Sequence, residues 1–224
     1  MDLFERLKAA AAREWEAYVD HPFVRMMGEG TLPKPAFQTY LVQDYLFLIQ
    51  FARAYALAIY KSRSFDEIRA TQEGLQAIIK ETELHVKLCA RWGLSPADVE
   101  ATPELQETVA YTRYVLDCGM SGDLLDLHVA LSPCVIGYAE IGRKLAPKGV
   151  EALADHPYRD WIAEYAGEGY QSAAQAAREQ LNRLGRRSMT EERFSELAGI
   201  FAKASLLEAA FWQMGLDNAH LAAG

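Results

Sequence analysis

The chain has 224 residues, half of them hydrophobic, with 31 acidic and 23 basic side chains and a formal net charge of −8. That length suits one large domain or two small ones with a sizeable core. So acidic a surface gives no general reason to seek nucleic acid or anionic membrane.

The opening MDLFERLKAAAAREWEAYVD is amphipathic, with Leu3, Phe4, Leu7, Ala11 and Trp15 at helical spacing, which predicts a helix over 2–19. It lacks the apolar core and cleavage pattern of a signal peptide, and charges interrupt every apolar run before it reaches membrane-spanning length. HPFVRMMGEGTLP then breaks the pattern with two prolines and two glycines. Residues 34–62 read as a long helix, apolar nearly all round and therefore central. Residues 64–92 open on Ser64-x-x-Glu67, a capping box, and stop at Gly93. SPADVEATPEL reads as a loop. Further helices are predicted over 103–118, 123–146, 157–184 and 190–215, followed by a weak tail. No strand alternation, hairpin turn, repeat or linker occurs. The expected architecture is all-α, a single domain over 1–224 with about seven helices.

Within those helices the informative residues are polar groups on apolar faces, because an unpaired buried carboxylate is costly. Asp44 sits among Leu41, Phe47, Leu48 and Phe51. It is either a hydrogen-bonded core aspartate, one facing a solvent channel, or a functional acid. Glu208 stands alone in KASLLEAAFWQM, with Phe211 and Trp212 one turn on. No base lies at helical pairing distance, so a functional carboxylate competes with one paired across the core.

Cys134 follows Pro133 inside LSPCVIGYAEI. The proline frees the carbonyl of Val129 and perturbs the local backbone. A distortion there would point Cys134 into a pocket, with Tyr138 one turn away. The competing reading is a small buried hydrophobe, which is the expectation for Cys89 and Cys118. The three cysteines match no zinc spacing and their odd count suggests no disulfide framework, so a reducing cytoplasm is the predicted compartment. Tyr111, Tyr114, Tyr138 and Tyr165 line either a pocket for a flat polar ring or a tyrosine-rich core. Of the five histidines, His21, His85, His128, His156 and His220, none completes a di-iron pattern. Asp217-x-x-His220 has the spacing but no companion, so no metal site is read.

Several stretches together resemble the TenA family, also called thiaminase II or aminopyrimidine aminohydrolase. They are HPFVRMMGEGTLPKPAFQTYLVQDYLFL (21–48), LSPCVIGYAEIG (131–142), HPYRDWIAEYAGEGY (156–170) and LLEAAFWQM (206–214). The resemblance implies a haem-oxygenase-like helical bundle without haem, usually a homotetramer, acting on a small-molecule aminopyrimidine or thiamin with no cofactor. Nucleic-acid and membrane partners are not expected. Cys134 matches the family's nucleophile and Glu208 the acid that handles protons at a ring nitrogen. Asp44 matches the carboxylate that binds the amino-pyrimidine edge. Tyr111, Tyr138 and Tyr165 match orienting tyrosines, and Phe47 and Phe211 match the aromatic walls that sandwich the ring. Some relatives carry tyrosine where this chain has Phe47 and Ala209, departures that bear on substrate preference. The implied reaction is hydrolysis of 4-amino-5-aminomethyl-2-methylpyrimidine to the 5-hydroxymethyl compound, with thiamin a slower second substrate. The alternatives are a non-catalytic pyrimidine or thiamin binder and an oxidase on the same fold.

Overall fold

The computed structural model describes residues 2–219. Among them are eleven α-helices, one 3-10 turn and no strand. The all-α expectation holds; the count of about seven does not, because two predicted helices are each divided and two short ones were missed. In order these are α1 (Leu3–Ala10), α2 (Ala12–Val19), α3 (Pro22–Glu29), α4 (Lys34–Lys61), α5 (Phe65–Arg91) and α6 (Pro96–Ala101). There follow α7 (Gln106–Ser121), α8 (Leu124–Leu145), the 3-10 turn Val150–Leu153, α9 (Arg159–Ala166), α10 (Glu168–Ser188) and α11 (Glu191–Asp217).

The divisions have local causes. At Ala11 the backbone leaves helical geometry (φ −114°, ψ 34°), and no side chain caps α2. Trp15 then meets Phe4 edge to face at 5.5 Å and stacks on Phe201 at 5.4 Å. At Gly167 the chain is extended between α9 and α10. Gln171 Nε2 donates there to the Tyr165 carbonyl at 2.6 Å, satisfying an acceptor the break leaves open. The expected loop at 95–105 contains α6, whose start is a Ser95 cap on the Asp98 N–H with Pro96 at the first position. Where the sequence predicted most firmly, boundaries agree. Ser64 caps the Glu67 N–H at 3.2 Å, and Gly93 closes α5 in the left-handed region.

The chain forms two compact units, each discontinuous in sequence. Unit 1 takes the residues up to Thr31 together with His128–Ala209; unit 2 takes Leu32–Leu127 and the residues from Ala210 on. In unit 1, α1 lies on α10. The Leu3 N–H donates to Asn182 Oδ1 at 2.9 Å, and Arg178 bridges Asp2 and Glu5 at 2.7 and 3.0 Å. Unit 2 is built on α4, which carries α5 and α7. Gln43 is its polar staple, donating to the Pro103 carbonyl and accepting from the Leu105 N–H and the Thr108 hydroxyl. The 22-residue α8 corrects one expectation, because it is long and apolar enough to cross a membrane; 78% of that apolar window is buried in protein.

Candidate active site

Unit 2 gathers four of the expected residues. Asp44 and Phe47 sit one turn apart on α4 and are both buried. The Phe47 ring lies 5.0 Å from Tyr111 on α7 and 5.6 Å from Phe211 near the end of α11. Phe47 and Phe211 are inclined by 60°, an edge-to-face contact with each other. They therefore offer a corner rather than two parallel walls, and a flat ring would stack on one and abut the other.

Asp44 has two neighbours that sequence reasoning did not find. The Tyr40 hydroxyl donates to its Oδ2 at 3.0 Å, and His85 Nε2 lies 2.5 Å from the same oxygen. The Tyr40–Asp44 spacing of one helical turn is readable in the sequence. His85 is not, because it comes from α5, and only packing sets the register of α5 against α4. His85 is fully buried and its Nδ1 faces the Glu81 carbonyl at 3.2 Å. Burial alone would push the imidazole down. The Asp44 carboxylate, by charge and hydrogen bonding, and Glu81 outweigh that and hold it up at about 9.

Unit 1 holds the others. Cys134 is half-buried on α8, one turn before Tyr138. Tyr138 packs at 4.9 Å against Tyr165, and both pack on Trp161. Gly142 makes this possible, since a Cβ there would stand 2.5 Å from the Tyr165 backbone. Glu208 is buried on α11, 2% exposed.

The helix does not break at Pro133: α8 runs through it. The missing N–H is replaced by the Ser132 hydroxyl, which donates to the Val129 carbonyl at 2.8 Å. The Tyr18 hydroxyl donates to the Pro133 carbonyl at 3.3 Å. Its ring occupies the space where a side chain on Gly137 would stand. The Ser-Pro-Cys sequence thus supplies its own repair two residues before the thiol.

The other two thiols are core residues. Burial, then the charge of Asp44, pushes Cys89 up to about 11, and burial raises Cys118, to which the Tyr114 hydroxyl bonds. Neither is a ready thiolate near neutral pH. Among the described residues no cluster of three or more histidine, cysteine or carboxylate side chains is arranged to hold a metal ion. Asp217 ends α11, and His220 lies outside the described residues.

Comparison with known proteins gives the family. The TENA/THI-4/PQQC family matches residues 9–218. The chain belongs to that family. An aminopyrimidine aminohydrolase from Halalkalibacterium halodurans is 38% identical over 206 residues, 91% of this chain and 91% of its own. A protein described as a TenA family transcription regulator, from a Silicibacter species, superposes with a TM-score of 0.89 at 43% identity over 96% of each chain. A domain of unknown function from Shewanella denitrificans, with a heme oxygenase-like fold, matches with a TM-score of 0.75 at 13% identity over 97% of this chain and 94% of its own. At that identity the likeness shows the fold, which is the helical architecture expected for a TenA chain.

Proposed function

We propose that the protein is an aminopyrimidine aminohydrolase of thiamin salvage. It hydrolyses 4-amino-5-aminomethyl-2-methylpyrimidine to the 5-hydroxymethyl compound and ammonia, and cleaves thiamin more slowly to the same pyrimidine and the thiazole alcohol. The observation that carries this is the 38% identity, over 91% of both chains, to a protein named for that reaction. In this reading Cys134 and Glu208 do the chemistry, with Tyr138 and Tyr165 as orienting groups. Asp44 takes the amino edge of the pyrimidine, with Phe47, Phe211 and Tyr111 against its face.

The chemistry suits these groups. Direct displacement of an amine from the aminomethyl arm is slow. Addition of the Cys134 thiolate to the ring carbon beside the substituted one breaks aromaticity, and the electron pair so delivered expels the amine. Water adds to the exocyclic carbon, aromaticity returns and the thiolate leaves. Glu208, donating to a ring nitrogen, makes the ring a better electrophile in the first step and recovers the proton in the last. Asp44 accepts from the exocyclic amino group. No step calls for a cofactor. The working state is proposed to be a homotetramer in a reducing cytoplasm, where the thiols persist.

The test is product formation from the aminomethyl pyrimidine and, in parallel, from thiamin, with wild type and Cys134→Ser. Wild type should release the hydroxymethyl pyrimidine, and the variant should lose at least ~100-fold in rate. Turnover that survives Cys134→Ser would remove the covalent route. The Silicibacter relative's description as a regulator favours a second reading, pyrimidine sensing without catalysis. Tight binding of the pyrimidine by a wild type that turns over neither substrate would establish it.

A further inference from the structure

Both polar neighbours of Asp44, the Tyr40 hydroxyl and the His85 ring, fall on one oxygen, Oδ2, and neither contact falls on Oδ1. Asp44 keeps 4% exposure while His85 has none. The two nitrogens of His85 face two oxygens, the Glu81 carbonyl and the Asp44 carboxylate. A carbonyl can only accept, so Nδ1 must carry hydrogen. Nε2 lies 2.5 Å from a carboxylate oxygen, and so short a contact suits an imidazolium against a carboxylate. The groups facing this pair are Asp44 and Tyr40 from α4 and Glu81 and Cys89 from α5. Phe211 and Trp212 of α11, packed on Tyr40, do not titrate.

We propose that His85 is a positioning and specificity-determining residue. By pairing with Oδ2 it fixes Asp44 as an acceptor only, leaving Oδ1 for the substrate, so that the site takes a 4-amino pyrimidine and rejects its 4-oxo counterpart. The proposal rests on Asp44 reading the amino edge. A 4-amino group donates to Oδ1. A 4-oxo group sets a second acceptor against it, and a site built for one polarity rejects the other strongly. Without the cation beside it, a buried carboxylate takes up a proton more readily and becomes able to donate. The distinction between amino and oxo rings then fades.

The test measures binding of 4-amino-5-hydroxymethyl-2-methylpyrimidine and of its 4-oxo counterpart by calorimetry, with the full chain as wild type, His85→Gln and His85→Leu. Wild type should prefer the amino compound by ~100-fold or more, and the variants by less than about tenfold. KM should rise by more than kcat falls. An unchanged preference in folded variants overturns the proposal. Nitrogen NMR of wild-type His85 gives a readout independent of the variants: at pH 7 it should show a doubly protonated ring, and a neutral tautomer overturns the pairing. If wild type binds neither compound, the aminopyrimidine reading fails and takes the proposal with it. If wild type discriminates and the variants do so equally, only the role of His85 fails.

Discussion

At the scale of single residues, the histidine to which the sequence gives no role is paired in the core with a candidate site acid. His85 titrates at about 9 in the folded chain against 6.5 for an ordinary histidine. A raised folded value means that the folded state binds the proton more tightly than the unfolded one. The resulting stabilisation is complete below pH 6.5 and is lost as pH rises through about 9. Urea unfolding of wild type should therefore show stability declining across that window, and His85→Gln should lack the decline. A wild-type profile flat from pH 6.5 to 9 would contradict an Asp44–His85 ion pair. Asp44 itself is legible in the sequence as an acid on an apolar face. What it is paired with is not, because the partner comes from another helix.

Individual helices are where local repair shows. In α8 the Val129 carbonyl depends on the Ser132 hydroxyl, because Pro133 cannot donate. Ser132→Ala leaves that acceptor buried and unmet and should cost about 1–3 kcal/mol in urea unfolding. Gly142→Ala forces a Cβ against the Tyr165 backbone, which cannot swing aside as a side chain can. It should cost at least about 1–3 kcal/mol and lower the rate by displacing Tyr165. Gly199→Ala is the contrast: on exposed α11 surface, with nothing within 4 Å of the added Cβ, it should stabilise by up to ~1 kcal/mol. Equal effects at Gly142 and Gly199 would remove the close-approach argument. The sequence signalled these helices well where caps were strong, at Ser64 and Gly93. It missed α6 although Ser95 and Pro96 announce it, because two prolines within eight residues read as a loop.

For the whole molecule, the two units are each assembled from distant segments. Unit 2 needs the residues after Ala210: Phe211 and Trp212 pack on Tyr40, Phe211 on Phe47, and Met214 takes the Thr108 hydroxyl. A fragment of residues 32–127 alone lacks all three side chains. It should give no cooperative thermal transition by near-ultraviolet circular dichroism, where the full chain gives one. A cooperative melt of the fragment would show that the C-terminal segment is dispensable to that core.

The sequence by itself determined the helical class, the long central α4, the identity of the candidate acids and thiol, and the family. Periodicity, capping chemistry and motif order are local, and each can be read from neighbours in the chain. Tertiary structure alone decided that Asp44 meets His85 and that Phe47 and Phe211 form a corner. It also brought the α9 backbone against α8 at Gly142. Those contacts depend on the relative register of helices far apart in sequence, which is set by side-chain packing across the core.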